Sequence, residues 1–276
     1  MQAMGERAAT EDWWGVVEVE SGTGRCWELP GFRIIVFRRA SEWLLASERS
    51  PEREIDCETW TTSLVTEEPS GHPDLVRFVA APSANSAQLV PRAADRSVVA
   101  KPRIPLHLLP DEGARIYVSS PVWVEVNVGK PMHSLGQLPV RRLSDTWFGP
   151  NTREGEVAYA LKTQARMQLE ELPMRPHRLN TPIEIRNDGD EPLHIDRMNL
   201  PVPYLSVYAT ESGYLWSEEV TLLQGRSSEL ASLRVRKGAP AEAERARRLS
   251  GPRIAAESNF LVRAFSSIFD PMQREE

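Results

Sequence analysis

The residues best placed to do chemistry lie in one short run, Ser144-Asp145-Thr146-Trp147-Phe148-Gly149-Pro150, just after Leu138-Pro139-Val140-Arg141-Arg142. A polar turn, two large aromatics and a Gly-Pro stop sit between two strand-like segments. Two readings fit this pattern. In the first, Ser144 or Asp145 bonds neighbouring backbone N–H groups and the aromatics plug the end of a sandwich. In the second, the run is the floor of a ligand site that includes Ser144. Trp147 is then a stacking plate, Asp145 an acceptor, and Arg141 or Arg142 an anion clamp.

Other reactive side chains lack a catalytic setting. His72, His107, His133, His177 and His194 form no HxH or HExxH spacing, so no metal is expected. His194 and Asp196 lie two apart in a strand-like segment and share a face, which suits a charge-assisted hydrogen bond better than metal ligation. Cys57 lies among Glu54, Asp56 and Glu58, which raise rather than lower a thiol pKa. There is no GxSxG elbow around Ser144. The pair Gly22 and Gly24 has neither the Lys-Ser/Thr nor the helix of a phosphate loop. No catalytic residue and no cofactor is assigned.

The elements that must carry these residues read as strands. Val16–Glu20, Arg25–Leu29, Phe32–Arg38, Trp43–Ser47, Glu58–Val65 and Leu75–Ala80 are short β-rich runs with turn residues between them. Ser21–Gly24 reads as a hairpin loop. Pro91, Pro102, Pro105 and Pro110 then interrupt a weakly apolar stretch, a candidate domain boundary or long connection. A second series follows, in which Val122, Val124, Val126 and Val128 share one face. From Gly155 to Glu171, apolar residues at odd positions predict one long half-buried strand. Asn187–Asp190 is a turn between two more strands. Pro240–Leu249 and Ile254–Phe269 read as helices, the second with Ile254, Leu261, Phe265, Ile268 and Phe269 on one face. Five of the eight tryptophans, at 13, 14, 27, 43 and 60, fall in the first sixty residues. They suit core packing, or a sugar- or peptide-binding β surface.

Ser144–Pro150, Gly155–Arg166 (GEVAYALKTQAR), PIEIRN from Pro182 and LPVPYLSVY from Leu200 together resemble a prokaryotic family, domain-of-unknown-function family 432. The resemblance covers roughly residues 115–235. It carries no established activity and no residue roles. The family is chiefly archaeal, and its genes often sit beside small mechanosensitive channels. That implies a channel-accessory or membrane-stress role.

The chain has 276 residues with 41% apolar and 26% charged side chains, enough for a real core. Its net charge of −6 argues against general nucleic-acid binding. The charge is uneven: residues 1–75 hold 15 acids against 7 Arg, and residues 130–180 hold 8 Lys and Arg against 5 acids. The positive middle is either solvated surface or an anion or partner site. No apolar run reaches membrane-spanning length. Two cysteines, Cys26 and Cys57, without a legible secretory signal suggest a cytoplasmic protein with reduced thiols.

The expectation is an all-β protein of sandwich or barrel-like units with a short helical C-terminal tail. The expected divisions are an N-terminal β domain (1–95), a second β domain carrying the SDTWFG segment (96–237) and the tail (238–276). The leading functional reading is a non-enzymatic binding or regulatory protein, with a protein partner such as a membrane channel. Its contact element would be the last helix, through Leu261, Phe265, Ile268 and Phe269. The alternatives are a small-ligand or anion binder, or an enzyme, using the 144–149 segment with nearby Arg, and a structural subunit of a homo-oligomer.

Overall fold

A computed structural model describes residues 12–49, 59–81, 84–225, 231–255, 260–262 and 264–266. Its strands, in chain order, begin with β1 Gly15–Glu18, β2 Thr23–Leu29, β3 Phe32–Arg38, β4 Glu42–Arg49, β5 Thr61–Val65, β6 Val76–Val79, β7 Ser86–Arg92 and β8 Val98–Ala100. They continue with β9 Leu106–Leu108, β10 Gly113–Pro121, β11 Trp123–Val128, β12 His133–Pro139, β13 Ser144–Phe148, β14 Glu156–Ala160, β15 Arg178–Asn187 and β16 Leu193–Ile195. The last are β17 Arg197–Leu200, β18 Val207–Ala209, β19 Leu215–Trp216, β20 Val220–Gln224, β21 Ala231–Val235, β22 Arg247–Ser250, β23 Phe260–Val262 and β24 Phe265–Ser266. The protein is all-β. Among the described residues the helical segments are three-residue 3-10 turns, and no helix is long and apolar enough to cross a membrane.

The strands form five sheets. The first, β5-β2-β3-β4-β6, is an antiparallel sheet built entirely within residues 23–79. The second, β1-β7-β11-β12, joins N-terminal strands to strands beyond residue 122. The third has eight strands in the order β22-β18-β19-β15-β20-β21-β23, with β10 also on β15. The fourth is β13-β14-β8-β17-β24, and the fifth is the pair β16-β9. All five place side chains in one apolar core that runs from Trp13 to Ala264.

Local pattern explains much of this. In β3, Phe32, Ile34 and Val36 are buried while Arg33 and Ile35 are not, the alternation of a half-covered strand. The valines at 122, 124, 126 and 128 are all buried, as their spacing predicts. β15 is buried along nearly its whole length because it pairs with β10, β19 and β20 at the centre of the largest sheet. Trp13, Trp14, Trp27 and Trp43 are buried, and Trp60 packs against the same core. These tryptophans are packing, not an open binding surface.

Several expectations fail. The turn at Ser21–Gly22 forms, but β1 does not pair with β2. It pairs with β7, matching Val16 to Gln88. β2 pairs instead with β3 and β5. Two short strands, β8 and β9, form between the prolines of the 91–112 stretch. The long strand expected from Gly155 to Glu171 stops at Ala160. Ala158 and Ala165 are both buried although they lie seven apart, so the chain changes face between them. It follows β8 as far as Leu161, whose N–H donates to Val99, then crosses to exchange hydrogen bonds between Arg166 and Tyr117 of β10. Thr163 Oγ1 holds the crossing by donating to the Ser119 carbonyl at 2.8 Å.

The C-terminal tail is not helical where it is described. Pro240–Leu249 contains one 3-10 turn, Ala241–Ala243, and then β22, which pairs with β18. Ile254–Phe269 contains β23, paired with β21, and β24, paired with β17. Favourable helix composition is outweighed here by tertiary anchors. Glu242 accepts hydrogen bonds from Arg115 Nη2 at 2.8 Å and Tyr117 Oη at 2.9 Å, both on β10. Ser250 Oγ donates to the Pro91 carbonyl at 2.7 Å. These contacts fix the 3-10 turn on β10 and lead the chain into β22 at the sheet edge.

Candidate functional site

β13 and β14 form an antiparallel hairpin in which Asp145 faces Tyr159 and Trp147 faces Val157. Directly opposed residues on one sheet face are neighbours. The Ser144–Phe148 segment is therefore a strand, not the loop expected from sequence. Its turn is tight: a Cβ on Gly149 would meet the Glu154 carbonyl at 2.0 Å, and one on Gly155 would meet the Phe148 carbonyl at 2.6 Å. Glycine is required at both places by close approach.

The Asp145–Tyr159 end of the hairpin lines an open cleft of about 480 Å³. Three arginines from separate elements enter it: Arg49 from the end of β4, Arg96 from the β7–β8 connection and Arg142 from the β12–β13 connection. Trp123 and Tyr159 supply aromatic walls, with ring centroids 5.5 Å apart. Arg96 Nη1 donates to Asp145 Oδ1 at 3.2 Å, and the Arg96 guanidinium lies 5.5 Å from the Tyr159 ring centroid. Tyr159 Oη donates to Asp95 Oδ1 at 3.0 Å. Burial raises the Tyr159 pKa, and the Asp95 hydrogen bond raises it further.

Arg49 and Arg142 are arranged differently. Arg49 Nη2 donates to the Pro139 carbonyl at 3.1 Å, and its guanidinium lies 5.1 Å from the Phe32 ring centroid. Burial lowers the Arg49 pKa, and the positive charge of Arg142 lowers it again, against a smaller opposing effect of Asp74. An arginine keeps its proton at neutral pH even so. Among the described residues neither Arg49 nor Arg142 forms an ion pair. Two like charges thus line one cleft within electrostatic reach of each other, while Asp145, the carboxylate among the described cleft residues, is engaged by Arg96.

A second pair of arginines, Arg92 and Arg253, interacts electrostatically within reach of Tyr159. Arg253 Nε donates to the Ala93 carbonyl at 2.8 Å, and Arg253 Nη1 bonds Gln137 Oε1. Its Nη2 and the Nε of Arg92 are buried with no hydrogen-bond partner among the described residues. Arg92 pairs with Glu125 at 3.6 Å. Burial, followed by Arg92, lowers the Arg253 pKa. The chain therefore brings three guanidinium groups into the cleft and sets two more, Arg92 and Arg253, within electrostatic reach of each other. Each guanidinium offers a planar fork of donors that suits an oxyanion.

Of the residues singled out from sequence, the structure brings Arg142 and Asp145 into the cleft. Arg141 lies on the side of His177, whose pKa its charge helps to lower. Ser144 is exposed opposite Ala160 and does not line the cleft. Trp147 is 40% exposed and is no stacking plate in the cleft. Its Nε1 donates to the Asn151 carbonyl at 2.7 Å, closing the hairpin turn. Among the expected partner contacts, Leu261 lies in β23 opposite Ser232, and Phe265 lies in β24, opposite Met198 and packed on the core. They do not form a free helix face. Ile268 and Phe269 lie outside the described residues, as does Cys57. Cys26 is a buried free thiol.

Sequence reasoning missed Arg49, Arg96, Trp123 and Tyr159. Tyr159 was accessible, because treating Ser144–Phe148 as a strand would have set it opposite Asp145. Arg49 had no local signal, since it joins the cleft from another sheet.

The family described as protein of unknown function (DUF432) matches residues 13–270. The chain belongs to this family. The DUF432 match extends well beyond residues 115–235 in both directions, so β4 with Arg49 and the C-terminal segment with Arg253 lie inside the family unit. No curated protein and no solved structure matches the chain.

Proposed function

We propose that this DUF432 protein is a non-enzymatic binding protein whose cleft takes an oxyanion, such as a phosphate group, between Arg49 and Arg142. The observation that carries this reading is that both guanidinium groups, without an ion pair among the described residues, line one open cleft. An anion placed between them removes their repulsion and makes charge-assisted hydrogen bonds, each worth about 1.5–3 kcal/mol. Arg96 and Asp145 form the opposite rim. A ligand with a second anionic group can draw Arg96 away from Asp145.

The test is calorimetric titration of the full chain with phosphate, pyrophosphate and sulfate, with acetate as a weak comparator. Saturable oxyanion binding is expected, weakened at least about tenfold in Arg142→Gln and further in the Arg49→Gln/Arg142→Gln pair. Absence of saturation by every oxyanion, or equal affinity in the double variant, overturns the reading.

A second reading is docking of a protein partner, such as a membrane channel, in a regulatory role. It is favoured by Trp147 and Val157, which face each other on the exposed side of the hairpin. A cytoplasmic setting goes with both readings. Retained capture of a candidate channel by Trp147→Ser/Val157→Ser would count against the second.

A further inference from the structure

The short fifth sheet carries a pair of histidines that the cleft does not use. His107 of β9 and His194 of β16 are direct cross-strand partners. His194 Nδ1 lies 3.1 Å from His107 Nε2 and 3.3 Å from His107 Nδ1. The other nitrogen of His194, Nε2, lies 3.0 Å from Asp196 Oδ1. That contact is the one expected from their spacing, and it fixes the His194 tautomer. With the proton on Nε2 and directed at the carboxylate, the lone pair of Nδ1 points toward His107.

Two features of this pair bear on what it can hold between its rings. First, His194 Nδ1 is almost equidistant from both nitrogens of His107, whereas a directed N–H···N bond would single out one of them. Second, two nitrogens held tetrahedrally by one metal ion at about 2.0–2.1 Å stand roughly 3.3 Å apart. The observed separations match that span, and a turn of the exposed His107 ring would aim one nitrogen at the shared ion.

The backbone holds the pair in place. Leu108 and Ile195, beside the two histidines, are buried in the main core. The buried Asn187 side chain donates from Nδ2 to the carbonyls of Leu108 at 3.0 Å and Glu191 at 2.8 Å, tying both strands to the end of β15. The imidazoles face outward from this support, where water and ions can reach them.

We propose that His107 and His194 bind a divalent transition metal ion that prefers imidazole, such as Zn²⁺ or Ni²⁺, with Asp196 as the positioning residue behind His194. Among the described residues no group of three or more His, Cys, Asp or Glu side chains forms a metal site. The described residues thus supply two ligands, and water completes the shell. Imidazole-rich sites favour Ni²⁺, Cu²⁺ and Zn²⁺ over Mg²⁺ or Ca²⁺. The site is separate from the arginine cleft and stands or falls independently of it.

The test is titration of the chelator-treated full chain with ZnCl₂ and NiCl₂, with MgCl₂ as control. One site of about micromolar Kd is expected for Zn²⁺ and Ni²⁺ and none for Mg²⁺. His107→Ala and His194→Ala should each abolish it, Asp196→Asn should weaken it roughly tenfold, and His133→Ala should leave it unchanged. Because a variant can fail to fold, Cu²⁺ electron paramagnetic resonance on the unmodified chain gives a second readout, with hyperfine structure from two imidazole nitrogens expected. Absence of Zn²⁺ and Ni²⁺ binding by the unmodified chain, unchanged binding in His194→Ala, or a Cu²⁺ spectrum with one nitrogen or none would each overturn the proposal.

Discussion

His177 shows how one buried side chain couples this fold to pH. It is buried beside Arg178, Arg175 and Arg141, and its Nδ1 has no hydrogen-bond partner among the described residues. Burial first, and then those three positive charges, push its pKa down to about 3. In the unfolded chain it titrates near 6.5. Between these values the unfolded state holds a proton that the folded state does not. Stability is therefore full above about pH 6.5 and falls as pH drops toward 3, with a slope approaching about 1.4 kcal/mol per pH unit. Urea unfolding at pH 7 and pH 5 should show a loss of about 2 kcal/mol from this group. His177→Gln should remove that component. Parallel pH dependence in the two proteins would mean that other groups dominate.

At the scale of elements, the β13–β14 hairpin decides where Asp145 and Tyr159 stand. Its turn is closed by the Trp147 indole on the Asn151 carbonyl and by Asn151 Oδ1, which accepts the N–H groups of Arg153 and Glu154. Gly155 lies under the Trp147 ring, and a Cβ there would meet Trp147 Cε2 at 2.8 Å as well as the Phe148 carbonyl. A backbone carbonyl cannot move aside as a flexible side chain can. Gly155→Ala should cost about 1–3 kcal/mol through overpacking. Gly71→Ala, where nothing lies within 4 Å, should stay within about 0.5 kcal/mol. Thermal denaturation of both variants checks the contrast, and equal midpoints would refute this account of the turn.

For the whole molecule, continuity of the core sets the unfolding behaviour. Apolar residues from Trp13 to Ala264 form one cluster, and β7 and β11 bind N-terminal and later strands into one ladder. β22, β23 and β24 complete sheets started elsewhere in the chain. Scanning calorimetry should give one transition with matching calorimetric and van't Hoff enthalpies. Two resolved transitions, one assignable to residues 1–95, would show that the β2–β6 sheet unfolds as a unit of its own.

The sequence by itself determined the all-β class, through the period-2 burial of segments such as Phe32–Arg38 and Val122–Val128, and it pointed to Arg142 and Asp145. These properties depend on neighbours in the chain, where alternation and turn residues act directly. The tertiary structure alone decided that β1 pairs with β7, that the Gly155–Glu171 pattern breaks at Ala160, and that β22, β23 and β24 lie along sheet edges. It also decided that Arg49 shares a cleft with Arg142. Strand partners are chosen by closing a common core, and a residue arriving from a sheet more than ninety positions away leaves no periodic trace near the site it completes.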